Sequence, residues 1–480
     1  MYICNNIKTI NLYEISKSLA KKNISSLELV KLCFEKIQKN NSNLKGLIYI
    51  NENSITDAIK SDRRRHNNRS LSPIDGIPIA IKDQIMTLNM PTTAGSKILE
   101  NHVANYNSTV IKKLIRSGAI ILGKVNQDEF AMGSSNETSI FGSTKNPIDN
   151  KKTAGGSSGG SAAVVAAGIC SGALGTDTGG SVRLPASFCG LVGLRPTYGR
   201  ISRFGAISFA SSLDQIGLIT SNSESNAILL QEIAGYDVKD STSINHSIEC
   251  YIDKINKSIK GIRIGIPIQC LKNTINSSIM FNFKKAIDIL KNNRSIIKYT
   301  SLNMIEYWNA VYYIISSAEA ASNLSRYDGI LYGSNIIDKK KISNSYSYTR
   351  GLFLGTEVQR RIIVGNYVLS ADNNKECYLK AQKIRYSIYK EFKEKLTKVD
   401  VLLYPTSQVL PFNLKDNLKD PLKMYMLDTY TIGSSLAGLP SISVNIGKSK
   451  NDLPIGIQLV GKPFTEGLLL QIAKVLEYNK

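Results

Sequence analysis

The stretch GTDTGGSVRLPASFCG, residues 175–190, sets Ser181 directly after two glycines, an arrangement that suits a serine nucleophile on a loop whose main chain a substrate can approach closely. A serine hydroxyl needs a base to take its proton. The chain has only three histidines, His66, His102 and His246, and none is near Ser181. Upstream, GGSSG at 155–159 satisfies the Gly-x-Ser-x-Gly nucleophile elbow, but that motif requires a later acid and a later histidine, and only His246 follows, in the polar SINHSIE. GAIILGK at 118–124 matches the front of a phosphate-binding loop, yet Val125 stands where a Ser or Thr must ligate magnesium, and the apolar filling reads as a strand. Neither a Ser-His-Asp hydrolase nor a nucleotide loop is supported.

Three other features belong together. Lys82 ends the apolar run of PIAIKD, Ser157 sits in the Gly/Ser loop of TAGGSSGGSAAVVAAG that enters a helix, and Ser181 follows in the second Gly-Gly-Ser loop. Taken singly, the loops are flexible turns and Lys82 a solvated strand-end lysine. Together they resemble the amidase signature family. The resemblance implies that Lys82 is the catalytic lysine, Ser157 the bridging serine and Ser181 the nucleophile. It also implies that the amides of Thr178, Gly179, Gly180 and Ser181 form an oxyanion hole, and that the Gly156–Ser157 peptide is cis. The chemistry is coherent without histidine. A lysine is a base only when neutral, burial lowers its pKa from about 10.4, and a serine hydroxyl both accepts and donates, so it can relay a proton.

The similarity runs from NLYEISKSL to GKPF, and echoes at 312–329 (YYIISSAEAASNLSRYDG) and 357–365 (EVQRRIIVG) are not usual in general amidases. Within the family they imply the branch that hydrolyses glutamine as one component of a three-subunit, tRNA-dependent amidotransferase. Its partners would be the B and C subunits of that enzyme. ATP and magnesium would be held by the B component, misacylated tRNA would be reached through the complex, and this chain would carry no cofactor or metal. Free glutamine carries a carboxylate and an ammonium, so its site needs a cation and an anion, and arginine suits a carboxylate through its fork geometry. The resemblance assigns the carboxylate to Arg361, the ammonium to Asp428 in MYMLDTYT, and assistance to Tyr312. The alternatives are a helix-surface arginine (with Arg360 the obvious misassignment), a helix-capping aspartate and a packing tyrosine. A stand-alone amidase on small carboxamides and a decayed tRNA-binding scaffold are the competing functions. Ala154, Leu218 and the tryptophan-free NPIDN (146–150) depart from the family's pattern and put loop rigidity in question.

The elements that must hold these residues are legible from periodicity. Helices are predicted over LYEISKSLAKK (12–22), over SSLELVKLCFEKIQKN with a Ser25/Glu28 capping box, over 108–117 ahead of a Gly118 stop, over GGSAAVVAAGICSGAL (159–174) and over 278–293. Strands are predicted within 74–85, 119–126, 190–199, 259–267, 399–407 and 439–447. Alternating strands and helices imply an α/β layer fold, and the resemblance a large mixed central sheet with helices on both faces. A single domain is expected over 1–480, with N-terminal helices at about 8–45, a catalytic core at about 70–220 and a substrate-completing part at about 221–480. The polar 334–350 reads as a mobile surface loop.

The 480 residues are 42% apolar and 20% charged, the balance of an ordinary folded protein. The net charge of +22 would suit a polyanion, but Lys, Asn and Ile abound throughout, as in an AT-rich coding background. Seven scattered cysteines (Cys4, Cys33, Cys170, Cys189, Cys250, Cys270, Cys377) show no metal-ligand spacing and read as buried apolar residues of a reducing cytoplasm. No secretory signal or membrane span is expected.

Overall fold

A computed structural model describes residues 11–271, 275–334, 342–416 and 420–479. Among these residues eleven strands form one sheet: β1 (Leu47–Ile50), β2 (Pro78–Lys82), β3 (Ile120–Val125), β4 (Gly172–Asp177), β5 (Val192–Arg195), β6 (Gln215–Thr220), β7 (Arg263–Pro267), β8 (Ile296–Thr300), β9 (Val401–Pro405), β10 (Ser441–Lys448) and β11 (Pro454–Gly461). Their order is β1-β3-β2-β4-β6-β5-β10-β11-β9-β7-β8. The sheet is mixed: β2 runs parallel to β3 and β4, β7 runs parallel to β8 and β9, and the remaining pairs are antiparallel. Everything from β1 to β6 precedes residue 221, and the later strands join it through one ladder, β5 against β10 (Ser441 opposite Arg195, Ile442 opposite Leu194).

Both faces of the central strands are covered. Successive strand side chains point to opposite faces. Ile79, Ile81, Ile121, Leu174 and Leu218 enter one apolar cluster, while their neighbours Ala80, Leu122, Ala173 and Ile219 enter another with Ala162, Ala163 and Val164 of the helix Gly159–Ala166. That two-sided burial explains why these strands read as continuous apolar runs rather than alternating ones.

The periodicity-based elements form with shifted ends, some trimmed and some extended, the helix expected to end at residue 40 running on to Leu44. The helix Ser26–Leu44 has the reciprocal Ser25/Glu28 capping box, and Gly118 turns the chain at φ +80° between the helix Thr109–Arg116 and β3. Three expectations are corrected. The helix expected over 159–174 ends at Ala166, the chain reverses through Gly168 at φ +66°, and β4 begins at Gly172. Of the polar 334–350 segment, 335–341 lie outside the described residues, but Ile342–Phe353 is a helix. Leu218 is in no loop: it sits within β6, opposite Leu174 and Leu194, where a ladder position accepts it without disruption. Cys33, Cys170, Cys189 and Cys270 are buried as expected, whereas Cys250 is exposed and Cys377 half-buried; Cys4 lies outside the described residues.

Candidate active site

Parallel pairing of β2 with β4, Ile81 opposite Leu174, brings the carboxyl ends of two strands together. Lys82 closes the first and Asp177 the second, so the loop 178–181 begins beside the lysine. Lys82 is fully buried, and its Nζ donates to three hydroxyls: Ser157 Oγ at 2.8 Å, Ser158 Oγ at 2.9 Å and Thr176 Oγ1 at 2.9 Å. Burial lowers its pKa from 10.5 to about 7, against the opposing pull of the carboxylates of Asp128, Asp177 and Asp214. The hydroxyls are not equivalent. Ser158 Oγ donates to the Thr176 carbonyl at 3.2 Å, so it meets the lysine only as an acceptor. Ser157 keeps its proton free to move.

Ser157 and Ser158 precede the helix Gly159–Ala166, and the Gly156–Ser157 peptide is cis. Ser158 N donates to the Ser181 carbonyl at 3.1 Å, which fastens the two loops to each other. Among the described residues the Ser181 side chain makes no hydrogen bond, and no acceptor takes the main-chain N–H of Gly179, Gly180 or Ser181. Those amides are free to bind a developing oxyanion. The two glycines are required by crowding: a Cβ on Gly179 would fall 2.7 Å from the Tyr312 ring, and one on Gly180 would collide with Thr431. Thr178 is held from the far side, its hydroxyl donating to Asp214 Oδ1 at 2.7 Å. Below the loop, Arg183 grips Asp177 through two hydrogen bonds of 3.0 and 2.9 Å. Against burial that would raise it, Arg183 and Arg195 hold the Asp177 carboxyl down to about 2.

The later half of the chain closes the site. Tyr312, buried, lies over Gly179. Asp428 occupies the N-cap position of the helix Thr429–Leu436, but its side chain makes no capping bond. Its Oδ2 instead accepts from Ser134 Oγ at 2.5 Å, and Ser134 O accepts from Gly156 N at 2.8 Å, which ties Asp428 to the Ser157 loop. The Oδ1 of Asp428 is buried without a partner, and burial, reinforced by Asp177, raises this carboxyl to about 7. Arg361 is 5% exposed; its Nε donates to Glu357 Oε1 at 2.8 Å, and its guanidinium lies 4.9 Å from the Tyr313 ring centre and 5.4 Å from those of Tyr425 and Phe209. Because Glu357 takes the Nε side, the terminal fork is left for another anion. Arg360, 41% exposed, ion-pairs with the other oxygen of the same glutamate. A pocket of about 290 Å³ opens between Ser134, Ser135, Glu357, Arg361 and Tyr425.

Direct contacts link Lys82 to Ser157, the 157–158 loop to Ser181, Tyr312 to Gly179 and Asp428 to Ser134, and Arg361 shares a pocket with Ser134. The structure adds Ser158, Glu357 and Tyr313, neighbours in sequence or on the helix of residues already singled out, and Ser134 and Thr176, which reach the site only through tertiary contacts. The doubled serine of GGSSGG and the glutamate four residues before Arg361 are the signals that could have flagged two of them. Among the described residues no cluster of three metal-ligating side chains occurs, and no helix is long and apolar enough to cross a membrane.

A buried lysine bearing on a serine pair, with a glycine-framed serine loop fastened beside it, is the arrangement of an amidase. The amidase family model matches residues 28–470. The chain is 46% identical to the A subunit of glutamyl-tRNA(Gln) amidotransferase from Ehrlichia canis (strain Jake), over 98% of each chain. It is 46% identical to its counterpart from Syntrophobacter fumaroxidans, over 98% of this chain and 96% of the relative. The crystal structure of the Thermotoga maritima counterpart, also the A subunit of a glutamyl-tRNA(Gln) amidotransferase, superposes with a TM-score of 0.83 at 38% identity, covering 99% of this chain and 96% of that one. The chain belongs to the amidase family and, within it, to the family of glutamyl-tRNA(Gln) amidotransferase A subunits.

Proposed function

We propose that this chain is the glutamine-hydrolysing component of a tRNA-dependent amidotransferase. The observation that carries the chemistry is the buried Lys82 Nζ on Ser157 Oγ at 2.8 Å, with a pKa lowered to about 7, a base available at physiological pH without histidine. Neutral Lys82 draws the Ser157 proton while Ser157 takes that of Ser181, and Ser181 Oγ attacks the side-chain amide carbon of glutamine. The amides of Thr178, Gly179, Gly180 and Ser181 receive the oxyanion. The relayed proton goes to the departing nitrogen, ammonia leaves, and water then releases glutamate from Ser181. Arg361 takes the substrate carboxylate on its free fork, Asp428 Oδ1 takes the ammonium, and Tyr312 covers the reacting amide.

The ammonia passes to the partner B and C subunits, where the B component holds the ATP and magnesium that activate the glutamate of misacylated Glu-tRNA(Gln). The assembly works in the cytoplasm, and the chain acts as one catalytic unit. The test is Ser181→Ala in the intact complex. Glutamine-dependent amidation should vanish while amidation from free ammonia persists. Failure of ammonia to rescue would overturn this division of labour, and fast hydrolysis of simple aliphatic amides by the isolated chain would favour a stand-alone amidase.

A further inference from the structure

The helix Thr356–Leu369 presents Arg361 to the site, so whatever fixes the start of that helix fixes the arginine. Its N-cap is Gly355, whose N–H is held by neither a serine nor an asparagine side chain of its own segment. It donates instead to a residue 226 positions earlier: Glu129, with Oε2 at 2.9 Å and Oε1 at 3.2 Å. Glu129 is 2% exposed, and Ser96 Oγ donates to its Oε1. A Cβ at residue 355 would collide with the carboxylate, so glycine is the residue that lets Glu129 come this close.

Glu129 is itself tightly placed. Its N–H bonds Thr138 Oγ1 at 3.0 Å, and the preceding Asp128 accepts from the amides of Asn136, Glu137 and Thr138 at 2.8, 3.0 and 3.3 Å. The same turn supplies Ser134 to Asp428 and, through Asp128 N, a 3.3 Å bond to the Ser157 carbonyl. One short segment thus touches the base's loop, the ammonium anchor and the first amide of the arginine's helix. A buried carboxyl group that contacts none of Lys82, Ser157, Ser181 and Arg361, raised to about 7 by burial against the hydrogen bonds from Ser96 and Gly355, and set at a helix N-terminus, has the geometry of a strut.

We propose that Glu129 is a positioning residue that sets the distance between the nucleophile loop and Arg361, and thereby selects substrates bearing an α-carboxylate. This rests on the reading that Arg361 binds that carboxylate. The determinant is reach: the side chain must span the gap to Gly355 N.

The experiment is steady-state glutaminase kinetics of the assembled complex carrying Glu129→Gln, Glu129→Asp or Arg361→Ala, with glutamine and with glutamine methyl ester, which lacks the carboxylate charge. Glu129→Gln keeps the reach and a carbonyl acceptor, and should hold KM for glutamine within about threefold of wild type. Glu129→Asp keeps the carboxyl group but retracts it by one methylene. It should raise KM for glutamine about tenfold or more, leave kcat and ammonia-dependent amidation nearly unchanged, and narrow the preference for glutamine over its ester. Adding Glu129→Asp to Arg361→Ala should change KM no further.

A Glu129→Asp complex with wild-type KM would overturn the proposal, as would one in which kcat alone falls or glutamine and ester suffer equally. Should Arg361→Ala itself leave KM untouched, the carboxylate reading fails first, which separates the two outcomes. Both Glu129 variants are conservative; if Glu129→Asp were to prevent assembly while Glu129→Gln did not, the residue would be a folding determinant and the proposal would be wrong.

Discussion

On the proposed mechanism two buried groups must each lose a proton before glutamine can react, and burial brings both to about 7. Lys82 is the base only when neutral, and burial brings its pKa down to about 7. Asp428 can pair with the substrate ammonium only when ionised, and burial brings its pKa up to about 7. The shifts have opposite signs, but the active form of each group is the deprotonated one, and kcat/KM reports the free enzyme. At pH 8 each is about 90% active; at pH 6 each is about 9% active, so their joint fraction falls from about 0.8 to about 0.01. The glutaminase kcat/KM of the assembled complex should therefore drop about a hundredfold from pH 8 to pH 6, with log kcat/KM approaching a slope of two below neutrality. Asp428→Asn removes one titration: its activity is lower throughout, but the same pH change should cost only about tenfold. The assay is glutamate release at subsaturating glutamine across pH 5.5–8.5, with the complex checked for integrity at each pH. A wild-type slope of one, or an Asp428→Asn variant that retains a slope of two, would refute the assignment.

Further consequences are separable. Arg361→Ala should weaken glutamine binding by roughly 2–5 kcal/mol, read as KM, while Arg360→Ala, which removes only a partly exposed partner of Glu357, should raise KM far less. Lys82→Met should stabilise the fold at pH 8, because the unfolded lysine, with pKa 10.5, gains a proton there that the folded one, at about 7, does not. The lysine's penalty is about 3 kcal/mol at pH 8 and fades as pH rises toward 10.5, so the gain in Tm should fade with it. Ser158→Ala removes an acceptor from the Lys82 ammonium and should move the lysine limb of the kcat profile about one unit toward acid.

Lys82, Ser157 and Ser181 stood out only as a combination, the end of an apolar run and two glycine-bounded loops, whose resemblance to the amidase signature family gave them their roles. β2, β3, β7 and β9 were visible because burial on both faces makes a strand a continuous apolar stretch. What surrounds the triad was less legible. Ser158 looks like an N-cap, yet its side chain turns to Lys82, a choice made by β4 and not by its neighbours. Ser134 and Asp428 stand 294 residues apart, and no spacing rule joins them. The helix over 159–174 was overextended because SAAVVAAG and ICSGAL are equally apolar, and only the reversal at Gly168 separates them. β6 was passed over, although at six residues it is longer than β5, which the sequence showed.

The ladder between β5 and β10 also dictates an order of events on the ribosome. Arg195 and Ser441 pair although 246 residues separate them (441 minus 195), so β5 leaves the exit tunnel long before its partner exists. At roughly 5–20 residues per second, its outer edge stays open for about 12–50 s. An unpaired edge is a template for wrong partners, and the protection here is brevity, since β5 is only four residues long, Gly193 among them. Lys82, Ser157 and Ser181 have already been made when that interval opens, while Arg361 emerges late in it and Asp428 only near its close. Nascent chains arrested just before β10 should therefore cross-link to chaperones through β5, and completion of β10 should release them.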